Sequence, residues 1–360
     1  MYIFKPSFSS FQRHFSRFGF LMLLLYVLAG CRQPRTPRTI ERSFYYWKSV
    51  FLLKPHERQV LEELHITKLY IKYFDVSWNG ETNQPMPIAT IRFPHGAASI
   101  ASLSIVPVIF ITNDCMEKMQ PSQVEETAAK IIRLTSSVSQ RNGIKPSREI
   151  QIDCDWTERT RANYFSLLEV IRRLTRTENR ELSATIRLYQ CKYARLTGVP
   201  PVDRGLLMCY NMGNLKDPST GNSILEASEM KKYSNAISSY PLPLDVALPL
   251  FDWTVLFRNN AYGGLISGLA ESDFNSHPGV KSAGPYHTIL SDASIRGYEF
   301  KAGDLLRNEQ VKYDELVKAC KILDQELKTQ QVTVSLYHLD SLTLSKYSLH
   351  ELESVFDHLH

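Results

Sequence analysis

The sequence predicts an α/β fold, a (β/α)8 TIM barrel in a single domain with enlarged loops, and three observations carry that expectation. Eight strand-like segments occur in order, most of them separated by amphipathic helical stretches, the alternation of a parallel sheet wound with helices. Eight such units in about 330 residues match the size of a closed barrel. The alternative is an open doubly wound sheet, but no Gly-x-Gly-x-x-Gly turn or phosphate-cradling Gly/Lys loop follows an early strand.

The strand candidates are 43–51, 68–78, 106–113, 149–157, 182–190, 205–213, 244–257 and 332–339. The clearest helices are 55–65, 121–142, 160–176, 224–237 and 312–328. In 160–176, Tyr164, Leu167, Leu168, Ile171 and Leu174 keep the three-and-four spacing of a one-sided helix. Two connections are irregular. No helix is evident between Asn79 and Ser104, and 258–308 places Gly263, Gly264, Gly268, Gly279 and Gly284 among Ser and Asn, which reads as a large loop insertion.

The barrel is expected over 43–360, because the first thirty residues have a different character. Lys5, Arg13 and Arg17 precede the apolar run 18–28, too short for a comfortable membrane span and typical of a signal-peptide core. It ends in Leu28-Ala29-Gly30-Cys31, which resembles the bacterial lipobox and implies that Cys31 becomes the lipidated first residue of the mature chain. Several acyl chains anchor a protein stably where one does not. Residues 31–42 then form a Pro/Arg/Thr tether without apolar periodicity. Arg32 stands where an inner-membrane retention signal would carry aspartate, so the expected location is the cell envelope, at the outer membrane.

Charge and cysteines exclude other classes. Without its leader the chain falls from a formal +5 to +2, and no basic stripe interleaved with aromatics suggests nucleic acid. Five further cysteines, at 115, 154, 191, 209 and 320, show no zinc-ligand spacing and read as buried free thiols. Neither a metal nor another cofactor is predicted.

The chemistry is concentrated at the predicted strand ends, where barrels of this kind carry their sites. In Ile150-Gln151-Ile152-Asp153-Cys154-Asp155-Trp156-Thr157, strand alternation puts Asp153, Asp155 and Thr157 on one face, with the two acids about 7 Å apart. Such a pair is costly to bury without partners, so a polar pocket at the strand end is its economical place. Other strand ends supply Trp47, Asp75, Trp78, Asp114, Tyr210, Asn211, Asp252, Trp253 and the group Tyr337, His338 and Asp340. Acids and amides bond sugar hydroxyls while Trp47, Trp78 and Trp253 stack on C–H faces. Metals prefer His and carboxylate clusters, and phosphates prefer Arg or Gly-rich turns. A glycan, or another small polar ligand, is therefore the expected partner, besides the membrane that a lipid anchor would engage. Lys72, inside the apolar strand 69–74, would point inward and need an acid, which predicts a Lys72–Asp153 or Lys72–Asp155 pair.

The strand order and motifs resemble family-18 glycoside hydrolases, the chitinase class, whose fourth strand reads D-G-x-D-x-D-x-E. Ile152-Asp153-Cys154-Asp155-Trp156 matches its two inner acids and tryptophan, Met208-Cys209-Tyr210-Asn211 its Met-x-Tyr-Asp/Asn, and Leu248-Pro249-Leu250-Phe251 its Leu-Pro-x-Tyr. The chain also resembles envelope lipoproteins of the Bacteroidetes sort. The resemblance implies a general acid at position 157 and a substrate acetamido group that attacks, steered by the acid before it, but Thr157 stands there and a hydroxyl cannot donate a proton in that role near neutral pH. Ile150 and Gln151 replace the first acid and the glycine. Glu158 faces away unless the strand bulges.

Two functions from different classes stay open: a glycan-binding barrel without the family's acid catalysis, and a glycoside hydrolase using another carboxylate pair drawn from Asp75, Asp114, Asp252 or Asp340. A metal-dependent hydrolase is weaker, since the first seven strand ends carry no histidine.

Overall fold

The strand alternation closes into a cylinder in the structure, a computed structural model that describes residues 1–3 and 37–359. Cys31 and the apolar run 18–28 lie outside the described residues. Among the described residues, eight parallel strands form the barrel: β1 (Thr39–Tyr46), β2 (Lys68–Asn79), β3 (Ser104–Ile111), β4 (Glu149–Asp153), β5 (Glu181–Arg187), β6 (Arg204–Met208), β7 (Leu244–Pro249) and β8 (Gln331–Tyr337). Each pairs with the next, and β1 pairs with both β2 and β8, with Tyr45 opposite Tyr70 and Phe44 opposite Leu336. Residues from Arg38 onward form one compact unit, and no helix among those described is long and apolar enough to cross a membrane.

The two strand faces have different tasks. Outward side chains such as Ile71, Ile109, Ile152, Ile186, Leu207 and Leu336 are buried against the surrounding helices, which makes these strands nearly continuous apolar runs. Inward positions hold Tyr45, Tyr70, Val106, Val108, Leu206, Met208 and Ala247 in a separate cluster, so the barrel centre is packed rather than hollow. The principal helices are α1 (Pro55–Glu63), α2 (Val124–Arg141), α3 (Arg161–Thr177), α4 (Tyr313–Glu326) and α5 (Leu349–Asp357). α3 buries Tyr164, Leu167, Leu168 and Ile171, the stripe its spacing predicts.

Several boundaries differ from the sequence expectation, each for a local reason. β1 covers Thr39–Tyr46 rather than 43–51, so pairing with β8 takes in residues that composition assigns to the tether. The expected helix 224–237 is two short ones, Ala227–Lys231 and Ser234–Ser239. After β2 the chain turns at Gly80–Asn83, where Asn79 Oδ1 accepts from Glu81 N and Thr82 N, and returns as an antiparallel strand Gln84–Ile88.

The expected strand 244–257 is two strands. β7 ends at Pro249, which has no N–H to extend the ladder, and Asp252–Arg258 begins the insertion. That insertion is not a structureless loop. Its strands, Ala261–Ile266, Asp252–Arg258, Leu305–Gln310, Tyr286–Ile289 and Val280–Ala283, form a five-stranded antiparallel sheet in that spatial order. Phe274, Ile289, Ile295, Phe300 and Leu306 give it a core of its own.

Candidate functional site

The barrel axis carries a column of polar groups that leads to the cleft. At the N-terminal end of the strands, Lys68 Nζ lies 2.6 Å from Glu41 and 3.4 Å from Glu149, and Arg204 lies 2.6 Å from Asp245. One layer higher, Ser183 Oγ donates to Glu149 at 2.6 Å, Gln151 Nε2 donates to Ser183 Oγ at 3.3 Å, and Tyr45 OH donates to Gln151. Above them Thr185 Oγ1 donates to Asp153 Oδ1 at 2.5 Å. Each layer draws on residues two apart along its strand, as a period of two requires.

Asp153 is only 8% exposed. Burial first, then the neighbouring Asp155, push its carboxyl from 3.8 up to about 7, against the lowering pull of the Thr185 hydrogen bond. Asp155 is held differently. It lies beyond the end of β4, where Arg187 donates from Nε and Nη2 to its two carboxylate oxygens. Asn113 Nδ2 donates to the Asp155 carbonyl at 2.5 Å and pins the same turn.

Because β4 stops at Asp153, the expected common face of Asp153, Asp155 and Thr157 is broken. Thr157 N donates to Thr160 Oγ1 and its carbonyl accepts from Arg161 N, so Thr157 belongs to the start of α3. Neither Thr157 nor Glu158 lines the cleft. The expected pairing of Lys72 with Asp153 or Asp155 is also not formed. Lys72 Nζ lies 2.9 Å from Asp75 and 5.3 Å from the centre of the Trp47 ring. A register shift between Lys72 and Phe74 leaves Tyr73 as an extra residue, and that bulge brings Lys72 and Asp75 to the same face.

The cleft encloses about 920 Å³. Its floor and walls are aromatic: Tyr337 packs at 5.5–5.9 Å from Tyr45, Trp47, Tyr210 and Phe251, and Phe251 lies 5.2 Å from Trp253. Its acids are paired. Asp75 meets Lys72, Asp155 meets Arg187, Asp252 meets Lys346, Asp273 meets Arg296 at 2.9 Å, and Asp340 meets Lys48 at 2.6 Å. Asp153 is the cleft acid without an ion pair among the described residues. No group of three His, Cys, Asp or Glu side chains among them is placed to hold a metal ion.

Trp253 is fixed by a buried relay. Its indole Nε1 donates to Glu309 Oε2 at 2.7 Å, and the same oxygen accepts from Ser223 N at 2.9 Å and Ser223 Oγ at 2.6 Å. Arg307, fully buried, donates to Glu309 Oε1 at 2.6 Å and to the Asp217 carbonyl at 2.6 Å. The insertion is thereby tied to the loop after β6.

Of the residues singled out from sequence, Trp47, Asp75, Asp153, Asp155, Tyr210, Asn211, Asp252 and Trp253 line this cleft. Asp114 and Trp78 do not. Asp114 lies on the short helix Asn113–Lys118, exposed and 2.7 Å from Lys118, while Trp78 sits opposite Pro85 in the hairpin after β2. The sequence reading missed Arg187, although it is two residues beyond Thr185 on the inward face of β5. It also missed Asp273 and Arg296, which arrive from the insertion and carry no strand-end signal.

No protein-family model matches the sequence, and no curated protein matches it. Solved structures do. The spore cortex-lytic enzyme SleL of Bacillus cereus is 14% identical with a TM-score of 0.53, over 90% of this chain and 75% of that one. The chitinase of Chromobacterium violaceum is 11% identical with a TM-score of 0.54, over 89% and 98%. The class V chitinase of Nicotiana tobaccum is 13% identical with a TM-score of 0.51, over 88% and 98%, and a mutant of it was solved in complex with NAG4. At these identities the likeness is one of fold: this chain is a closed eight-stranded parallel barrel, the architecture it shares with those structures.

Proposed function

We propose that this protein is a lipid-anchored glycan-binding barrel that takes an uncharged sugar chain into the aromatic cleft and does not hydrolyse it by the acid catalysis of family-18 enzymes. The observation that carries the proposal is the charge balance of the cleft: every acid but Asp153 is matched by a cation, and Asp153 sits near 7. A ligand with no net charge displaces none of these pairs, offers hydroxyls to their outer lone pairs, and lays its C–H faces on Trp47, Phe251 and Trp253. Asp155, the acid that the family resemblance would assign to steering an acetamido group, is committed to Arg187, and position 157 supplies no proton donor. The NAG4 complex of the tobacco chitinase makes N-acetylglucosamine oligomers the first ligands to try.

A glycan array probed with the wild-type chain should show binding to neutral oligosaccharides. Trp47→Ala and Trp253→Ala should each weaken it about tenfold, the scale of one aromatic contact together with its buried area. Undiminished binding in both variants would place the ligand elsewhere. The second reading, a hydrolase in which Asp153 is the proton donor, is favoured by that carboxyl's position near 7, the range a general acid needs. Release of reducing ends by the wild type, lost in Asp153→Asn, would select it.

The anchor belongs to the same proposal and rests on the lipobox resemblance at Cys31 and the leader before it. β1 enters the barrel at the end opposite the cleft. Labelled fatty acid should be incorporated into the wild type and not into Cys31→Ser. Equal labelling of both would remove the anchor.

A further inference from the structure

We infer that the tyrosine pair Tyr189–Tyr193 is a second sugar-stacking platform, outside the cleft on the same barrel end, for the continuation of a polymeric neutral glycan whose first residues occupy the cleft. The inference rests on the glycan-binding reading above and adds a ligand length and a second contact site. Tyr189 is the second residue of the short helix that follows Arg187, the residue clamped on Asp155 in the cleft wall. The rings of Tyr189 and Tyr193 are 53% and 44% exposed, with centroids 4.8 Å apart. Neither hydroxyl has a hydrogen-bond partner among the described residues. Lys192 extends the patch, its ammonium 5.7 Å from the Tyr193 ring and 4.9 Å from the Tyr233 ring.

These rings do not stand on a loose loop. Leu188, Gln190, Cys191 and Thr197 are buried beneath them, each at most 3% exposed. Gln190 accepts from Arg187 N at 2.8 Å and donates to the Trp156 carbonyl at 2.8 Å, while Thr197 donates to the Gln190 carbonyl at 3.0 Å and accepts at its own carbonyl from Trp156 Nε1 at 2.9 Å. Two short helices, Leu188–Lys192 and Ala194–Thr197, are thus pinned to the barrel by side chains that hold both rings toward solvent. A rigid, wet aromatic surface with free hydroxyls and an adjacent ammonium loses little entropy on binding and satisfies both faces of a pyranose, apolar and hydroxylated. Tyr189 is only two residues beyond Arg187 of the cleft wall, and that short step along the chain favours the continuation of a glycan seated in the cleft over a separate partner.

Titration of the full chain with N-acetylglucosamine trimer and octamer tests the site, using wild type, the double variant Tyr189→Ala/Tyr193→Ala and the cleft variant Trp47→Ala. Both tyrosines are exposed, so the double variant is expected to fold as wild type. The octamer should bind the wild type about tenfold more tightly than the trimer, and the double variant should lose that gain while its trimer affinity is unchanged. Trp47→Ala should weaken both lengths. Equal octamer affinity in wild type and double variant overturns the platform and leaves the cleft reading intact. No binding of either length to the wild type overturns the glycan reading itself. A concentration-dependent dimer dissolved by the tyrosine substitutions would assign the patch to a second copy of the chain and overturn the platform.

Discussion

Asp153→Asn is expected to raise the melting temperature by several degrees at pH 8.5 and by less than half as much at pH 5. The folded carboxyl titrates at about 7 and an unperturbed one at 3.8, so the folded state binds the proton more tightly across that window. The contribution of the protonated form is fully present below the lower value and is lost as pH rises through the upper one. The full gap corresponds to about 4 kcal/mol at alkaline pH, the cost of an ionised carboxylate on the barrel axis. Asparagine stays neutral and still accepts from Thr185. Thermal scans of both proteins at the two pH values check the sign, and an equal difference at both would mean that Asp153 is not the titrating group.

Arg307→Met should destabilise the chain by about 3–5 kcal/mol, because it leaves the Glu309 carboxylate buried without its cation and strips the Asp217 carbonyl of its donor. The effect should reach the cleft. Glu309 is also the acceptor for the Trp253 indole, so tryptophan emission should shift in the native state as the platform loosens. Pairing Arg307→Met with Glu309→Gln removes the stranded charge while keeping an acceptor, and much of the loss should be recovered. Chemical denaturation of wild type and the two variants measures this, and a single-variant midpoint indistinguishable from wild type would show that the pair is not a strut of the insertion.

The parts of this molecule that are legible in sequence are those set by local periodicity. Alternation along 149–153 places Gln151 and Asp153 inside the barrel, and the stripe in α3 marks its buried face. Legibility ends where the period breaks. The bulge at Tyr73 adds one residue, which turns Asp75 to the face of Lys72 and gives that lysine a partner other than the predicted Asp153 or Asp155, and no residue type in the strand 69–74 announces it. Asp155 lies beyond the ladder, so its orientation depends on Arg187 and Asn113, which come from other strands.

The insertion was the least legible element. Its glycines and serines resemble loop composition, yet its antiparallel strands pair over long separations, such as Asp252 with Gln310. Its contributions to the cleft, Asp273 and Arg296, followed from that pairing rather than from any motif. Asp114 shows the converse: a polar residue just after a barrel strand that turns away because a short helix begins at Asn113.

The central claim is that a charge-balanced aromatic cleft binds a neutral glycan without cleaving it. Isothermal titration of the full chain with N-acetylglucosamine tetramer at pH 7, followed by a reducing-end assay on the recovered sample, tests it most directly. Saturable heat with an intact tetramer is the predicted result. Absence of heat at millimolar ligand, or a tetramer recovered as shorter sugars, would contradict it.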